Sequence, residues 1–407
     1  MALNYVHHST GAGTPSTVSA TLEDVTGGTI SGASLSASTK YMVLYRFNST
    51  TTNNATLQTF QLYSADDADL ATYSEMHFET GSSPERVFSG LTTFTTAATP
   101  TDVKAQFSVS DGASTWTIRG LEIMLIDLTS LAAGEYYESR TDTISLEFTT
   151  SFPGRVLNQI AGADLGIDEE WLVFGGVNHL DSQQPYYSGI TLGTCYDSDT
   201  EDNNTEMRTQ GDDIVNDPNY VLVGYHRTAT AERDVTLYGY ETSNNMNAYA
   251  NHSHLIAIKA SVFYQTTWDH DVPATQYSEV ETTINTISSV EMVGDQWIIA
   301  QTNQNTATGF VSCHIEADGT PLNSVNVDRR QVPGNGNTDH DTTFSMGIYT
   351  GEGTPSITHQ ARVLSATSTA DGDFATMVVI AMDSAPAGGG GGANSGIGVA
   401  GQPLETG

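Results

Sequence analysis

One aliphatic strand pattern occurs three times along this chain, and that recurrence limits what the chain can fold into more than any other feature. Leu121–Leu128 reads LEIMLIDL, Leu255–Phe263 reads LIAIKASVF and Met377–Ala385 reads MVVIAMDSA. Each is a short β-branched and aliphatic run between polar or turn residues, the pattern of a strand buried on both faces. Three copies predict three units, and a period of this kind decides the architecture before any local assignment does.

Other anchors keep the same spacing. An aromatic-led strand precedes each closing strand: Tyr41–Tyr45, Trp171–Phe174 and Trp297–Ala300. Tyr41 lies 82 residues before Ile123, Trp171 lies 85 before Ile256 and Trp297 lies 81 before Val378, so the three aromatics are expected to be structural equivalents and core residues. Val103, Val235 and Ile357 each follow Leu91, Val223 and Ser345 by 12 residues, a spacing that reads as a hairpin. A further strand, Leu57–Tyr63, Ile190–Tyr196 or Gly309–Ile315, ends in each unit in an acidic turn.

Short alternating strands rich in Thr, Ser, Tyr and Val, with turn signals every 8 to 12 residues or so, predict an all-β chain of three tandem antiparallel β-sandwich repeats. Jelly-roll and immunoglobulin-like strand orders both stay open. The expected boundaries are an N-terminal arm over 1–17, repeats over 18–133, 134–270 and 271–385, and a glycine-rich flexible tail over 386–407. A helical turn is expected near Leu128–Tyr137. Tyr277 stands only 20 residues before Trp297, whereas Tyr5 and Tyr136 stand 36 and 35 before their anchors, so the third sandwich is expected to lack a strand or borrow one. Both termini lack core patterns yet carry Tyr5, Val6, Ile397 and Val399, which marks them as docking arms.

Charge excludes one class of partner. Of 407 residues, 48 are acidic and 14 basic, giving a formal net charge of −34, and only Arg329 and Arg330 adjoin one another. A nucleic-acid surface needs a clustered basic footprint, so no nucleic acid is expected. No apolar run reaches the roughly 18 residues of a membrane helix, and MALNYVHHSTGAG lacks the basic start of a secretory signal. Synthesis in a cytoplasm is therefore expected, and the sequons at Asn48, Asn54, Asn203 and Asn251 carry no weight. Cys195 and Cys313, at neighbouring positions of separate units, are expected to be free thiols.

Little chemistry stands out. There is no GxSxG elbow in a βαβ setting and no HExxH, so no catalytic residue is assigned. His252-x-His254 would place both rings on one face of a strand, where a polar strand edge is the simpler reading than a zinc pair. The turn holding Asp197, Asp199, Glu201 and Asp202 offers oxygen ligands at alternate positions, as calcium requires, but lacks the glycine and distal glutamate of an EF-hand. Calcium is thus the one cofactor considered, against a solvated acidic hairpin tip. Carboxylates are too abundant here for any pair to signal glycoside chemistry. Trp116 and Trp268 are the expected exposed aromatics, available to a glycan.

Taken as a whole, the tandem Thr/Ser-rich sandwiches, the start MALNYV, the scarcity of lysine and the glycine-rich end resemble a virion structural protein of a tailed, marine bacteriophage. The resemblance implies assembly in the host cytoplasm and a non-enzymatic place on the particle. That place is tail or fibre, with capsid decoration as the alternative; the partners are other virion proteins, copies of itself and a host-surface glycan. A carbohydrate-binding adhesin or a polysaccharide-degrading enzyme stays open beside it.

Overall fold

Along each long strand of the computed structural model, successive side chains enter two different cores. The structure describes residues 3–10, 14–52, 56–78, 85–142, 146–148, 154–181, 187–193, 205–210, 220–227, 231–241, 249–271, 276–288, 291–292, 294–322, 328–332, 339–363 and 369–382.

The first unit comprises β1 (Tyr5–Ser9), β2 (Ser16–Thr17), β3 (Glu23–Ile30), β4 (Lys40–Thr51), β5 (Gln58–Tyr63), helix α1 (Ala68–Ser74), β6 (Met76–Phe78), β7 (Glu85–Thr95), β8 (Val103–Val109) and β9 (Trp116–Asp127). One sheet has the order β1-β9-β4-β7, with β2 also on β9; the other is β3-β8-β5-β6. Two four-stranded antiparallel sheets interleaved in this order are a jelly roll. β7 and β8 lie in different sheets, so the 12-residue spacing marks a crossover and not a hairpin.

The second unit repeats the order. It comprises β10 (Tyr136–Thr141), β11 (Leu146–Glu147), β12 (Arg155–Ile160), α2 (Gly162–Leu165), β13 (Trp171–Asp181), β14 (Tyr187–Gly193), β15 (Thr205–Gln210), β16 (Tyr220–His226), β17 (Val235–Glu241) and β18 (Tyr249–Lys259). Its sheets are β10-β18-β13-β16 and β12-β17-β14-β15. Residues 128–135, where a helical turn was expected, form hydrogen-bonded turns without helix.

The third unit comprises β19 (Gln265–Asp271), β20 (Gln276–Tyr277), β21 (Thr282–Ile287), β22 (Gln296–Ala317), β23 (Thr320–Pro321), β24 (Asp328–Val332), β25 (Asp339–Tyr349), β26 (Ile357–Val363) and β27 (Thr369–Ala381). β22 is a single strand that serves both sheets. Its first half pairs with β25 and β27, and Gly309–Ala317 pairs with β24 and β26. No jelly-roll strand is missing. The front strand is β19, whose Thr266 lies opposite Ile380 as Tyr5 lies opposite Ile126 and Tyr136 opposite Ile258. The expected match to Tyr277 picked β20, the next strand along, and β19 straddles the boundary expected at residue 270. Likewise 1–17 is not a free arm: β1 and β2 pair with β9 of the same unit.

Register corrects the aromatic anchors. Met42, Leu172 and Trp297 are the equivalent residues, opposite Ile126, Ile258 and Ile380. Trp297 is therefore one position out of step with Tyr41 and Trp171. Because side chains alternate along a strand, one step moves a residue to the other face. Tyr41 and Trp171 pack inside their own sandwiches, while Trp297 packs outside its own. The sequence carries the same odd step, since Tyr41 and Trp171 follow Ile30 and Ile160 by 11 residues but Trp297 follows Ile287 by 10.

The same alternation builds the central core. Val43, Ile123 and Leu125 face the first sandwich, Val173, Leu255 and Ala257 the second, and Ile298, Met377 and Val379 the third. Their neighbours Leu44, Met124, Phe174, Ile256, Ile299 and Val378 meet in one cluster shared by all three units. Each long strand is thus buried on both faces, which is why the repeated pattern is continuously aliphatic.

Candidate functional site at the junction of the three units

The front strands β1, β10 and β19 occupy one edge of each inner sheet, and their third matched residues, His7, Glu138 and Trp268, all reach another unit. The His7 ring meets Trp297 of the third unit edge-on at 4.7 Å. Lys40 Nζ of the first unit donates to Glu138 Oε2, and Thr93 Oγ1 donates to Glu138 Oε1 at 3.2 Å. Trp268 stacks on Tyr225 of the second unit at 4.9 Å. First touches third, second touches first and third touches second, so the contacts run round a closed cycle. A head-to-tail contact that closes makes a ring. Here the ring is a pseudo-threefold one within one chain.

Polar contacts complete the junction. Arg46 is fully buried on β4 and donates Nη1 to the carbonyl of Gly120 at 2.9 Å. Desolvation lowers its pKa to about 10, opposed by the charge of Glu122. Glu122, 1% exposed, also accepts from Ser9 Oγ at 2.7 Å and meets His7 Nε2 at 2.6 Å. Gln301 of the third unit bonds both backbone groups of Val223: it accepts from the N–H at 2.9 Å and donates to the carbonyl at 3.1 Å. β16 is an edge strand, so this amide covers part of an otherwise open ladder.

Between the first and second units, Tyr73 of α1 carries the Arg140 guanidinium 3.5 Å over its ring and meets His252 edge-on at 4.7 Å. His252 and His254 share a face of β18, as their spacing predicts, but the face is an interface between units. Burial, helped by the nearby Arg140 charge, pulls the His254 pKa down to about 3.

The expected exposed aromatics are not exposed. Trp116 is fully buried among Phe47 and Phe107 of the first sandwich, and Trp268 is 7% exposed in the junction. Trp116 starts β9, whose inward side faces the opposing sheet; Trp268 lies on the front strand β19, near the boundary expected at residue 270. Asp197, Asp199, Glu201, Asp202 and Cys195, and the tail from residue 386, lie outside the described residues.

The acidic turn of the first unit is structural. Asp67 caps α1 through Asp69 N–H, and Asp66 accepts from Thr101 and Ala97 N–H. In the third unit Asp318 accepts from Ser356 N–H at 2.8 Å. Cys313 is buried on the inward face of β22. His359 and Asn285 accompany it, with His359 Nδ1 3.3 Å from Asn285 Oδ1. At 0%, 0% and 1% exposure these three are sealed in the core, where a substrate has no access.

A repeat signal that sequence reading missed positions the units internally. Ile30-Ser-Gly-Ala-Ser-Leu35 returns as Ile160-Ala-Gly-Ala-Asp-Leu165 and, more loosely, as Ile287-Ser-Ser-Val-Glu-Met292. The isoleucines pair with Val103, Val235 and Ile357, and both ends of each motif enter that unit's own core. Gly32 and Gly162 bond Asp102 and Asp234 through their N–H groups, and a Cβ there would lie 2.3 Å from Pro100 O or 2.4 Å from Arg233 N.

No protein-family model matches the chain, and no curated protein matches it. Among solved structures it is similar to a protein of an archaeal virus described by its triple jelly roll fold and turret assembly, at 11% identity, 83% of this chain, 78% of that one and a TM-score of 0.18. It is also similar to the infectious bursal disease virus VP2 subviral particle, at 10%, 86%, 73% and 0.21. A tandem CBM22 domain pair of Paenibacillus barcinonensis Xyn10C matches at 8%, 57%, 74% and 0.16. Similarity at these scores carries no argument about function, and the jelly-roll assignment rests on the strand order above.

Proposed function

We propose that this chain is a non-enzymatic structural component of a virion, of the tailed-phage kind, which acts by binding at a site of threefold symmetry. The observation that carries the reading is the closed cycle of contacts His7–Trp297, Glu138–Lys40 and Trp268–Tyr225 around a shared apolar core. One chain thereby supplies what three separate jelly-roll subunits would otherwise assemble. Such a ring matches a threefold tail or fibre as a single rigid piece, with its three second sheets turned outward. Three similar outward faces let weak contacts add through effective concentration. The net charge of −34 favours an outward position, since packaged nucleic acid would repel it.

Capsid decoration is the second reading, because a threefold position on a shell offers the same symmetry. Glycan binding has lost the two tryptophans that motivated it. Cryo-microscopy of purified particles is the test: density for three jelly rolls on a threefold tail axis supports the first reading and density on the shell lattice the second. Absence of the chain from particles overturns both.

A further inference from the structure

We infer that the third unit carries a first-row transition-metal site of the zinc class on the outer face of its second sheet. The site is made by His314, Glu316 and Glu281, and it does not depend on a place in a virion. His314 and Glu316 are two residues apart on β22, so a strand's alternation sets them on one face. Glu281 comes from the turn before β21, which joins β22 through β26. One imidazole nitrogen and one oxygen from each carboxylate lie within 4.8 Å of one another. His314 Nε2 is 3.0 Å from Glu316 Oε1 and 4.0 Å from Glu281 Oε1. Two donors each about 2.0–2.1 Å from a tetrahedral zinc stand roughly 3.4 Å apart, so these gaps need only small rotamer changes. One nitrogen and two carboxylates suit zinc and its neighbours; calcium takes six to eight oxygens.

The setting adds two observations. The imidazole is 6% exposed and aimed at the two carboxylates, while Glu316 is 13% and Glu281 40% exposed, which gives a held inner ligand and an open side for entry. The first unit shows what the same cross-strand ladder looks like with its own cation. There Gln61 and Tyr63 stand where the third unit has His314 and Glu316, Gln61 bonds Gln106 and Gln106 bonds Asp24 across the sheet, and Lys104 Nζ bonds Asp24 Oδ2 at 2.7 Å. At the position matching Lys104 the third unit has Thr358, and the Arg362 guanidinium stands 3.5 Å from Glu281 Oε1. Arg362 shares Glu281 Oε1 with the approach of His314, so with a metal on that oxygen it would pass to the other carboxylate oxygen as an outer partner that orients the ligand.

Zinc titration of the full chain by calorimetry, with cobalt(II) absorption as the spectroscopic readout, tests the site. Glu281→Gln and His314→Asn are each expected to lose one equivalent of bound zinc, or at least ~10-fold in its affinity, together with the visible bands of tetrahedral cobalt. Asp24→Asn in the first unit should leave both unchanged. Zinc should raise the melting temperature of the parent chain but not of Glu281→Gln, whose exposed side chain makes a folding defect easy to exclude by near-ultraviolet circular dichroism. Equal zinc stoichiometry and affinity in the parent and in both variants would overturn the site, as would a parent chain that binds no zinc.

Discussion

The Tyr5 hydroxyl donates to Asp295 Oδ2 at 2.9 Å across 290 positions of sequence, tying the first strand of the first unit to the loop that launches β22 in the third. Met382 N–H bonds the Asp295 carbonyl at 3.1 Å, so the first and last described strands meet at this loop and the cycle of units closes there. A docking role for this terminus was expected; its target is another unit of the same molecule.

Tyr5→Phe should destabilise the fold by about 1.5–3 kcal/mol, the range for a hydrogen bond to a charged group. Both residues make further contacts, so the bond is isolated by a double-mutant cycle with Asp295→Ala read from urea midpoints. A coupling energy indistinguishable from zero would mean that the ring closes without this bond.

Glu122→Gln is expected to cost more. Its carboxylate is the charge opposing the desolvation of Arg46, and it also holds Ser9 and His7. Removing one partner of a buried pair leaves the other uncompensated, at about 3–5 kcal/mol. Arg46→Met together with Glu122→Leu should recover much of that loss, since an apolar replacement of both partners carries no unpaired charge. Guanidinium denaturation of the three proteins gives the comparison.

The period was legible because its physical cause is strong. A strand squeezed between its own sandwich and a shared core must be aliphatic on both sides, and Leu121–Leu128, Leu255–Lys259 and Met377–Met382 all are. What was not legible was phase. Trp297 imitates Trp171 in type and place, but it stands one strand position later and so on the opposite face; only pairing with Ile380 reveals this. Trp268 and Tyr277 were misread for a related reason, since β19 is short, polar and next to a proline, and nothing in Gln265–Asp271 marks it as a sheet edge. The cyclic contacts were out of reach because they join His7, Glu138 and Trp268, which share a position and no chemistry.

Acid should loosen the junction between the first two units through His254. Its surroundings are Tyr73, His252, Arg140, Asp142 and Lys40, and burial holds its folded pKa at about 3, below the ordinary 6.5. Between those values the unfolded chain takes up a proton that the folded chain refuses. The stabilisation is complete above pH 6.5 and is lost as pH falls through the window towards 3. His359 in the third core acts in the same direction and for the same reason, burial. The melting temperature of His254→Leu should fall less steeply than that of the parent chain between pH 7 and 4. Parallel curves would show that His254 is not the sensing group.

Cutting the chain between the first and second units should not separate them. Ala132, Ala133 and Gly134 are exposed, so a protease site placed there is accessible without entering a core. What remains after cleavage is the shared cluster, to which the first unit contributes Leu3, Met42, Leu44, Leu91, Met124, Ile126 and Leu128. Full burial of one such side chain is worth about 1.5–3 kcal/mol, so these residues together outweigh the several kcal/mol that association of two bodies costs. The nicked halves are expected to elute as one species at micromolar concentration and to part only in denaturant. Because joining becomes bimolecular after the cut, the melting temperature of the nicked protein should depend on concentration, whereas that of the intact chain should not. Two folded fragments eluting separately would show instead that the units are independent beads and that the ring owes its closure to the linker.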